Sequence, residues 1–163
     1  MSREASLCSG LRATGRLKQT STSPETLTMS FAQLQEFGAS YAEAWSSQDP
    51  ESVAAFYAEG GSLRVNDGPA AVGRAAIARV AQGFMRELPD MKVSLDKVVA
   101  DATGTFFHWT LTGTNSGPGG TGKRVRISGY EAWQIDASGL IGKSQGHMDS
   151  AEYARQLQHG ADD

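Results

Sequence analysis

The acidic residue Glu131 lies in an alternating segment, and its position there predicts acid–base chemistry. Residues 125–136 read VRISGYEAWQID, with Val, Ile, Gly, Glu, Trp and Ile at the odd positions. A period of two predicts a β-strand with one face in an apolar interior. A carboxylate on that face is costly unless another group pairs with it or it keeps its proton. We therefore predict a functional acid; the alternatives are an arginine partner or a bulge that turns the side chain to water.

A second candidate pair lies near the end of the chain. His147 and Asp149 are two residues apart, so a regular strand places both on one side of the sheet. A carboxylate next to an imidazole can act as a general base together with its partner. The segment Asp149-Ser150-Ala151-Glu152 also has the pattern of a helix N-cap. Both interpretations remain open.

Aromatic side chains are predicted to surround the candidate acid. Tyr41 and Trp45 lie one turn apart on the first predicted helix. A buried phenol needs a hydrogen-bond partner, and in a cavity it is a good donor to a developing oxyanion. Other large side chains are expected to shape an apolar pocket and to contact a substrate. With Trp45, these are Phe84, His108, Trp109, Trp133 and Met148.

The sequence contains no pattern that predicts a metal or a nucleotide. His108 is expected to be a half-buried residue of the sheet, and the three histidines lack the spacing of metal ligands. The single cysteine, Cys8, excludes an internal disulfide framework and a cysteine-based zinc site. Residues 117–124, GPGGTGKR, nearly form a phosphate-binding loop, but Arg124 replaces the Ser or Thr of that motif and no helix follows. We predict a hairpin loop there, no metal and no cofactor.

Composition predicts one domain with an acidic body. The chain has 163 residues, of which 39% are hydrophobic and 20% charged, which is enough for a real core. The first 30 residues hold four of the 15 basic and two of the 18 acidic residues, so the body is acidic. An acidic body without a basic stripe argues against nucleic acid. No apolar run approaches the ~18–20 residues of a membrane span, and we expect neither partner.

Residues 1–29 differ from the rest of the chain and are predicted to lie outside the domain, which spans 30–160. They are rich in Ser, Thr and Arg and show no sustained apolar period. We interpret them as a disordered tail, or as residues upstream of a start at Met29, in a cytoplasmic protein. A mitochondrial or plastid presequence, which is rich in Arg and Ser and poor in acids, is the alternative.

The order of the predicted elements indicates the fold class. Helical spacing of apolar residues comes first and alternation follows. This order predicts an α+β fold: a cone-shaped, curved antiparallel sheet with three N-terminal helices packed over its concave face, enclosing a pocket. The helices are expected at 31–45, from Pro50 to Gly60-Gly61, at 74–88 and at 150–158, and the strands at 62–65, 91–100, 104–115, 124–136 and 140–148.

Several motifs follow one another in a characteristic order along the chain. They are YAEAW at 41–45, DPESVAAFYAE at 49–59, FHWTLTGT at 107–114, GKRV at 122–125, the ending from 139 to 149, and RQL at 155–157. The first two resemble the opening of nuclear-transport-factor-2-like proteins, and the later ones resemble the SnoaL-like polyketide cyclases within that superfamily. The resemblance covers about residues 31–159, and the order and spacing of the motifs together are fairly specific for the fold.

The resemblance implies roles for particular residues. Asp149 stands where SnoaL-like cyclases keep an acid/base aspartate. Tyr41 and Glu131 stand where ketosteroid isomerases keep the tyrosine and the protonated acid that stabilise an enolate. The general base of those isomerases aligns near Val65, which cannot take a proton, and Gly146 stands where many cyclase relatives carry a polar residue.

These observations lead to the hypothesis of a small-molecule enzyme that performs cyclisation or isomerisation on a hydrophobic carbonyl compound, without a cofactor. Asp149, beside His147, would remove a proton alpha to the carbonyl. Tyr41 and a protonated Glu131 would stabilise the enolate. Because this superfamily also includes non-catalytic members, the alternative is a small-ligand-binding or dimerisation domain of the same fold. A homodimer is expected in either case.

Overall fold

The computed structural model describes residues 29–162, so the predicted tail lies almost wholly outside the described residues. Four helices and six strands make up this part of the chain. None of its helices has the length and apolar character that crossing a membrane requires. The helices are α1 Phe31–Trp45, α2 Pro50–Ala54, α3 Arg74–Glu87 and α4 Ser150–His159. The strands are β1 Tyr57–Val65, β2 Ala71–Val72, β3 Lys92–Asp101, β4 Gly104–Thr114, β5 Arg124–Ile135 and β6 Ile141–Met148.

One unclosed six-stranded sheet forms the wall of the fold, in the order β2-β1-β6-β5-β4-β3. Strands β3 to β6 form the predicted antiparallel meander, and the α+β class with helices over a curved sheet is confirmed. The pair β1 and β6 is parallel, which the prediction of an antiparallel sheet did not include. A short hairpin can join two strands only if they are antiparallel. Strands β1 and β6 are joined instead by a long connection that includes α3 and the meander, and such a connection allows a parallel pair.

Helix α1 is the element that carries aromatic side chains into the interior. Ser30 and Gln33 form a capping box at its start, which satisfies backbone N–H groups there. The helix packs against β3 and buries Tyr41 and Trp45. The helix begins at Phe31, as predicted, but this apolar side chain lies in the first turn and is 58% exposed.

The segment after α2 differs from the prediction. The helix ends at Ala54, and β1 begins at Tyr57, whereas Gly60-Gly61 was expected to end the helix. The pairing of β1 with β6 shifts register between Tyr57 and Ser62. A Cβ atom at Gly61 would lie 2.8 Å from the carbonyl oxygen of Ile141. Gly61 therefore permits a close approach of two strands at this bulge, as glycine within a strand often does.

Strand β5 has the two different faces that its alternation predicts. Val125, Ile127 and Trp133 are buried on the inner face, and Arg126 and Ser128 are exposed on the outer face. The inner faces of β4, β5 and β6 and the helices enclose one apolar core. Residues two apart on these strands share a face, and this periodicity directs Glu131 into that core.

Candidate functional site

Glu131 is buried and accepts three hydrogen bonds on one oxygen atom. It is 7% exposed. Its Oε1 accepts from the Tyr41 hydroxyl at 3.0 Å, from Trp133 Nε1 at 2.9 Å and from Ser144 Oγ at 2.7 Å. Within residues 29–162, no lysine or arginine forms a salt bridge with it, and no residue bonds to its Oε2. Neither the arginine partner nor the outward bulge is found, since Glu131 keeps a regular register.

The sheet register creates the space that Glu131 occupies. Its neighbours across the sheet are Phe107 on β4 and Gly146 on β6. A Cβ atom at Gly146 would lie 3.9 Å from Cγ of Glu131, so a longer side chain there would compete for the same space. Glycine at 146 thereby leaves one side of the carboxyl group open.

A second tyrosine extends the polar cluster. The hydroxyls of Tyr41 and Tyr57 lie 2.7 Å apart, and both side chains are fully buried. Tyr57 was not predicted as a site residue, because its spacing from Val53 and Phe56 is typical of the inner side of the helix expected after Pro50. Ser144 was not predicted either. The alternation of β6 does indicate it: residues 144, 146 and 148 lie two apart and therefore face the same side of the sheet as Glu131.

Burial changes the acidity of the cluster. It raises the pKa of Glu131 above its ordinary value, although the hydrogen-bonding groups of Trp133, Ser144, Tyr41 and Tyr57 act in the opposite direction. The pKa values of Tyr41 and Tyr57 are also raised, first by burial and then by the charge that Glu131 carries when ionised. Both phenols therefore keep their protons, and the acid is biased toward its neutral form.

Glu131 forms part of the wall of an apolar cavity. The space open to the centre of a water molecule is about 60 Å³. One water needs roughly 10–15 Å³ on that measure, so the cavity accommodates a small molecule or part of a larger one. Glu131 supplies the one carboxyl group in the lining. The lining residues are Trp45, Leu63, Val65, Phe84, Val93, Phe107, Trp109, Leu111, Glu131, Gly146, His147 and Met148.

Comparison with known proteins identifies the family. The model of the SnoaL-like domain matches residues 39–142, which is more than half of the chain. The chain belongs to the SnoaL-like domain family. A comparison with curated proteins gives no match.

Solved structures share the fold of this SnoaL-like domain at low sequence identity. A hypothetical protein of Catenulispora acidiphila with a ketosteroid isomerase-like fold, in complex with trimethylamine, is 15% identical over 75% of this chain and 92% of its own, with a TM-score of 0.66. AclR of Streptomyces galilaeus, a proposed hydroxylase, is 18% identical over 78% and 97%, with a TM-score of 0.66. A proposed SnoaL-like polyketide cyclase of Jannaschia sp. CCS1 is 16% identical over 89% and 100%, with a TM-score of 0.67. At these identities the likeness shows the fold alone.

Four of the residues predicted to contact a substrate line the cavity of the SnoaL-like domain: Trp45, Phe84, Trp109 and Met148. Two others do not line it. Trp133 lies behind the carboxyl group, where its indole donates to Glu131 and its ring stacks on Phe107 at 5.0 Å. His108 lies on the outer face of the sheet, beside Tyr130 at 5.4 Å between ring centres, because its strand alternates and Phe107 faces inward.

The predicted catalytic residues of the SnoaL-like domain occupy three different environments. Tyr41 does not line the cavity, and its hydroxyl is engaged with Glu131 and Tyr57. Its direct contact is therefore with the acid, whereas a contact with the enolate of the substrate was expected. The imidazole of His147 stacks on Tyr130 at 4.6 Å. Because Tyr130 precedes the inward-facing Glu131, this stack lies on the outer face of the sheet, although His147 also borders the cavity.

Asp149 is separated from the polar cluster. Its Oδ1 accepts from the backbone N–H of Glu152 at 3.0 Å and caps α4. Of the two interpretations of this segment, the helix N-cap is the one seen. It is exposed and lines a neighbouring depression with Arg64 and Asn66. His147 and Met148 border both this depression and the cavity. Asp149 therefore lies at the edge of the cavity next to this depression, which we call the rim. It forms no hydrogen bond with the residues around Glu131.

Proposed function

We propose that this SnoaL-like domain is a small-molecule enzyme that transfers a proton on an apolar carbonyl compound, in an isomerisation or cyclisation, with Glu131 as the acid. The observation that carries this proposal is the asymmetry of the Glu131 carboxyl group. Its Oε1 accepts three hydrogen bonds, its Oε2 has no partner among residues 29–162, and the residue lines an apolar cavity.

The hydrogen bonds determine where the proton of the neutral acid resides. Three donors converge on Oε1, which makes it the accepting oxygen. In the neutral acid the proton would then be on Oε2, and we propose that this oxygen meets the ligand. Neutral Glu131 is a hydrogen-bond donor to a carbonyl oxygen, in a site where water does not compete.

The reaction step balances with one acid and one base. The acid transfers its proton from Oε2 to the carbonyl oxygen, which uses the π electron pair of the C=O bond. The pair of the neighbouring C–H bond becomes the C=C bond of an enol, and the base takes that proton. The carboxylate that remains on Glu131 is stabilised by the donors from Tyr41, Trp133 and Ser144. Tyr41 and Tyr57 act through Glu131 as positioning residues.

Asp149 is the base that we propose for the C–H proton. It directly follows Met148, which borders both the cavity and the rim. Its Oδ1 caps α4, and its Oδ2 has no hydrogen bond among the described residues. A substrate that extends from the cavity over Met148 would present its C–H group to this free oxygen.

A second function is a ligand-binding domain without turnover. It is favoured by the separation of Asp149 from the cavity, which leaves Glu131 as the one carboxyl group in the lining. A buried neutral acid in an apolar cavity would then orient a carbonyl ligand by a hydrogen bond and would not exchange its protons.

The test combines binding with proton exchange. Apolar ketones are screened by thermal shift, because a ligand of the folded state raises the melting temperature by mass action. The exchange of α-protons of each hit with deuterated solvent is then followed by NMR. Glu131→Gln keeps an acceptor oxygen at Oε1 and a donor toward the cavity, so it should keep binding and lose about 10²–10⁴-fold in exchange rate.

Two further variants separate the roles. Asp149→Asn still caps a helix but cannot act as a base, and it should lower the exchange rate without lowering the melting temperature. Glu43→Gln, at an exposed position of α1, is the matched control and should leave both unchanged. Unchanged exchange in Glu131→Gln would refute Glu131 as the acid, and binding without any exchange in the wild type would establish the binding domain.

A further inference from the structure

Glu131 has unequal neighbours on the two sides of its strand. On β4 it pairs with Phe107, which is 1% exposed and whose ring stacks on Trp133 at 5.0 Å. On β6 it pairs with Gly146, which has no side chain and lines the cavity. The side of the acid toward β4 is therefore filled by an aromatic ring, and the side toward β6 is open.

The fold does not require a glycine at position 146. A Cβ atom there would lie 3.4 Å from its nearest neighbour, the carbonyl oxygen of Arg64, which is an ordinary van der Waals distance. Gly129 on β5 is different, because a Cβ atom there would lie 2.4 Å from the carbonyl oxygen of His147. Gly146 is also not among the glycines with a positive φ. Since glycine weakens the interior of a strand, its presence at 146 calls for a reason other than the backbone.

A side chain at position 146 would point into the cavity. Residues two apart on β6 face the same side of the sheet, and Ser144 contacts Glu131 with its hydroxyl at 2.7 Å. The next neighbours of a Cβ atom at 146 would be Cγ of Glu131 and Cα of Val65, both at 3.9 Å. Both of these residues line the cavity. The glycine therefore enlarges the cavity at the point where it reaches the carboxyl group.

The cavity is small enough for this space to affect which ligands fit. The space open to the centre of a water molecule is about 60 Å³. Because one water needs roughly 10–15 Å³ on that measure, the cavity holds about four to six water-sized groups. One methyl group on the wall would take the place of about one of them. The residue at position 146 therefore determines how bulky a ligand can be beside the carboxyl group.

We propose that Gly146 is a specificity-determining residue, and that the space above it receives a small alkyl group on the carbon next to the carbonyl of the ligand. A carbonyl oxygen bound to Glu131 brings its two neighbouring carbons closest to the acid. The open side of the acid is the side of Gly146. The substrate class is then a compact ketone with a substituent next to the carbonyl. This inference rests on the proposed function, because it deepens the substrate class of the same cavity.

A pair of ketones and a pair of variants test the inference. Cyclopentanone and 2-methylcyclopentanone differ by one methyl group next to the carbonyl, and titration of ¹⁵N-labelled protein in NMR spectra measures their dissociation constants. The wild type should bind the methylated ketone at least as tightly as the other. In Gly146→Ala the new methyl group occupies the same space. The affinity for 2-methylcyclopentanone relative to cyclopentanone should therefore fall about tenfold or more, the size expected when one small alkyl group no longer fits a pocket.

Gly142→Ala is the matched control on the same strand. A Cβ atom at Gly142 would lie 3.5 Å from the carbonyl oxygen of Gln134 and 3.9 Å from Cβ of Asp136, so it fits as easily as one at Gly146. Gly142 does not line the cavity, and its variant should keep the affinity ratio of the wild type. A second readout needs no variant: in the wild type, the methyl group of bound 2-methylcyclopentanone should show a nuclear Overhauser effect to the α-protons of Gly146.

The outcomes separate the two proposals. A folded Gly146→Ala that keeps the ratio of the wild type, including an equal loss for both ketones, would overturn the role of Gly146. The absence of the Overhauser effect would overturn it too, and this measurement decides if Gly146→Ala does not fold. Binding of neither ketone by the wild type would also overturn it. Failure of the proposed function has a different signature: both ketones bind and their ratio changes as expected, but their α-protons do not exchange with solvent.

Discussion

Glu131 in the interior of the sheet and Asp149 at its rim are carboxyl groups in different environments. Glu131 projects from β5 into the core, beside Gly146 of β6. Asp149 follows the last residue of β6 and begins α4. The interior gives Glu131 three side-chain donors on one oxygen and little water. The rim gives Asp149 a backbone N–H and free access to solvent.

This difference shows that the environment of a carboxyl group determines whether it is suited to donate a proton or to cap a helix. An acid whose burial outweighs the hydrogen bonds that it accepts is biased toward its protonated form, which suits a proton donor. An exposed carboxylate that accepts from a helix N-terminus stabilises that helix. Two acids in unlike environments are also the pattern by which enzymes divide acid and base roles. The following predictions test this division.

The largest expected effect follows from removal of the interior acid. Glu131→Ala leaves the donors of Tyr41, Trp133 and Ser144 without their shared acceptor and opens a cavity behind them. We expect a loss of about 3 kcal/mol or more in the free energy of unfolding, measured by urea denaturation. Glu131→Gln should lose much less, because its amide oxygen can still accept. A loss below about 1 kcal/mol in Glu131→Ala would show that the cluster does not stabilise the fold.

The contrast between interior and rim also explains what could be predicted from the sequence. Alternation reports which face of a strand is buried, so the inward direction of Glu131 and the bounds of β4 and β5 could be predicted to within about one residue. Hydrogen-bond partners come from distant parts of the chain. Tyr41 and Glu131 are 90 residues apart, and the contact of Ser144 with the acid depends on a strand register that periodicity does not determine.

Local signals were also ambiguous where two structures share one pattern. Tyr57 follows Val53 at a helical spacing, yet it begins β1, because tertiary pairing with β6 overrides the local preference. At the rim, Asp149 fits both a strand position beside His147 and a helix cap. Strand β6 ends at Met148 and α4 begins at Ser150. Asp149 therefore has the position of a helix cap, and it is separated from Glu131.

The second prediction removes one donor from the interior cluster. Tyr41→Phe deletes the hydroxyl that donates to Glu131 and that contacts the hydroxyl of Tyr57. We expect a loss of about 2 kcal/mol in the free energy of unfolding, because a buried hydroxyl and an acceptor both lose a partner. The pKa of Glu131 should rise further, since the bond from Tyr41 lowers it. Infrared titration of the carboxyl band would measure that shift, and a fall would contradict the assigned network.

The third prediction concerns pH. The pKa of Glu131 in the fold is raised above its ordinary value of 4.5, so the folded state retains a proton that the unfolded chain releases. The stability that Glu131 contributes is therefore complete below pH 4.5. It decreases as pH rises through the window up to the folded pKa, by at most about 1.4 kcal/mol per pH unit. Above the folded pKa the contribution is constant.

Comparison with Glu131→Gln isolates this contribution. The amide does not titrate, so the difference in free energy of unfolding between the wild type and Glu131→Gln should shift against the wild type as pH rises from 4.5. Urea denaturation at a series of pH values measures it. Glu43→Gln, on the exposed face of α1, provides the comparison for an ordinary surface carboxylate. A difference that is independent of pH would show that Glu131 is ionised in the folded state at all these pH values.

The smallest expected effect is at the rim. Asp149→Ala removes the acceptor for the backbone N–H of Glu152 and should cost about 1 kcal/mol, whereas Asp149→Asn should stay within a few tenths, since both residue types cap helices well. Asp49 caps α2 in the same way, with Oδ1 3.1 Å from the N–H of Glu51, and Asp49→Ala is the matched control for stability. The two caps differ in location, because Asp149 lies beside the cavity. If Asp149 is only a cap, Asp149→Asn and Asp49→Asn will leave α-proton exchange equally unchanged. If Asp149 is also the base, Asp149→Asn alone will lower it while the fold keeps its stability.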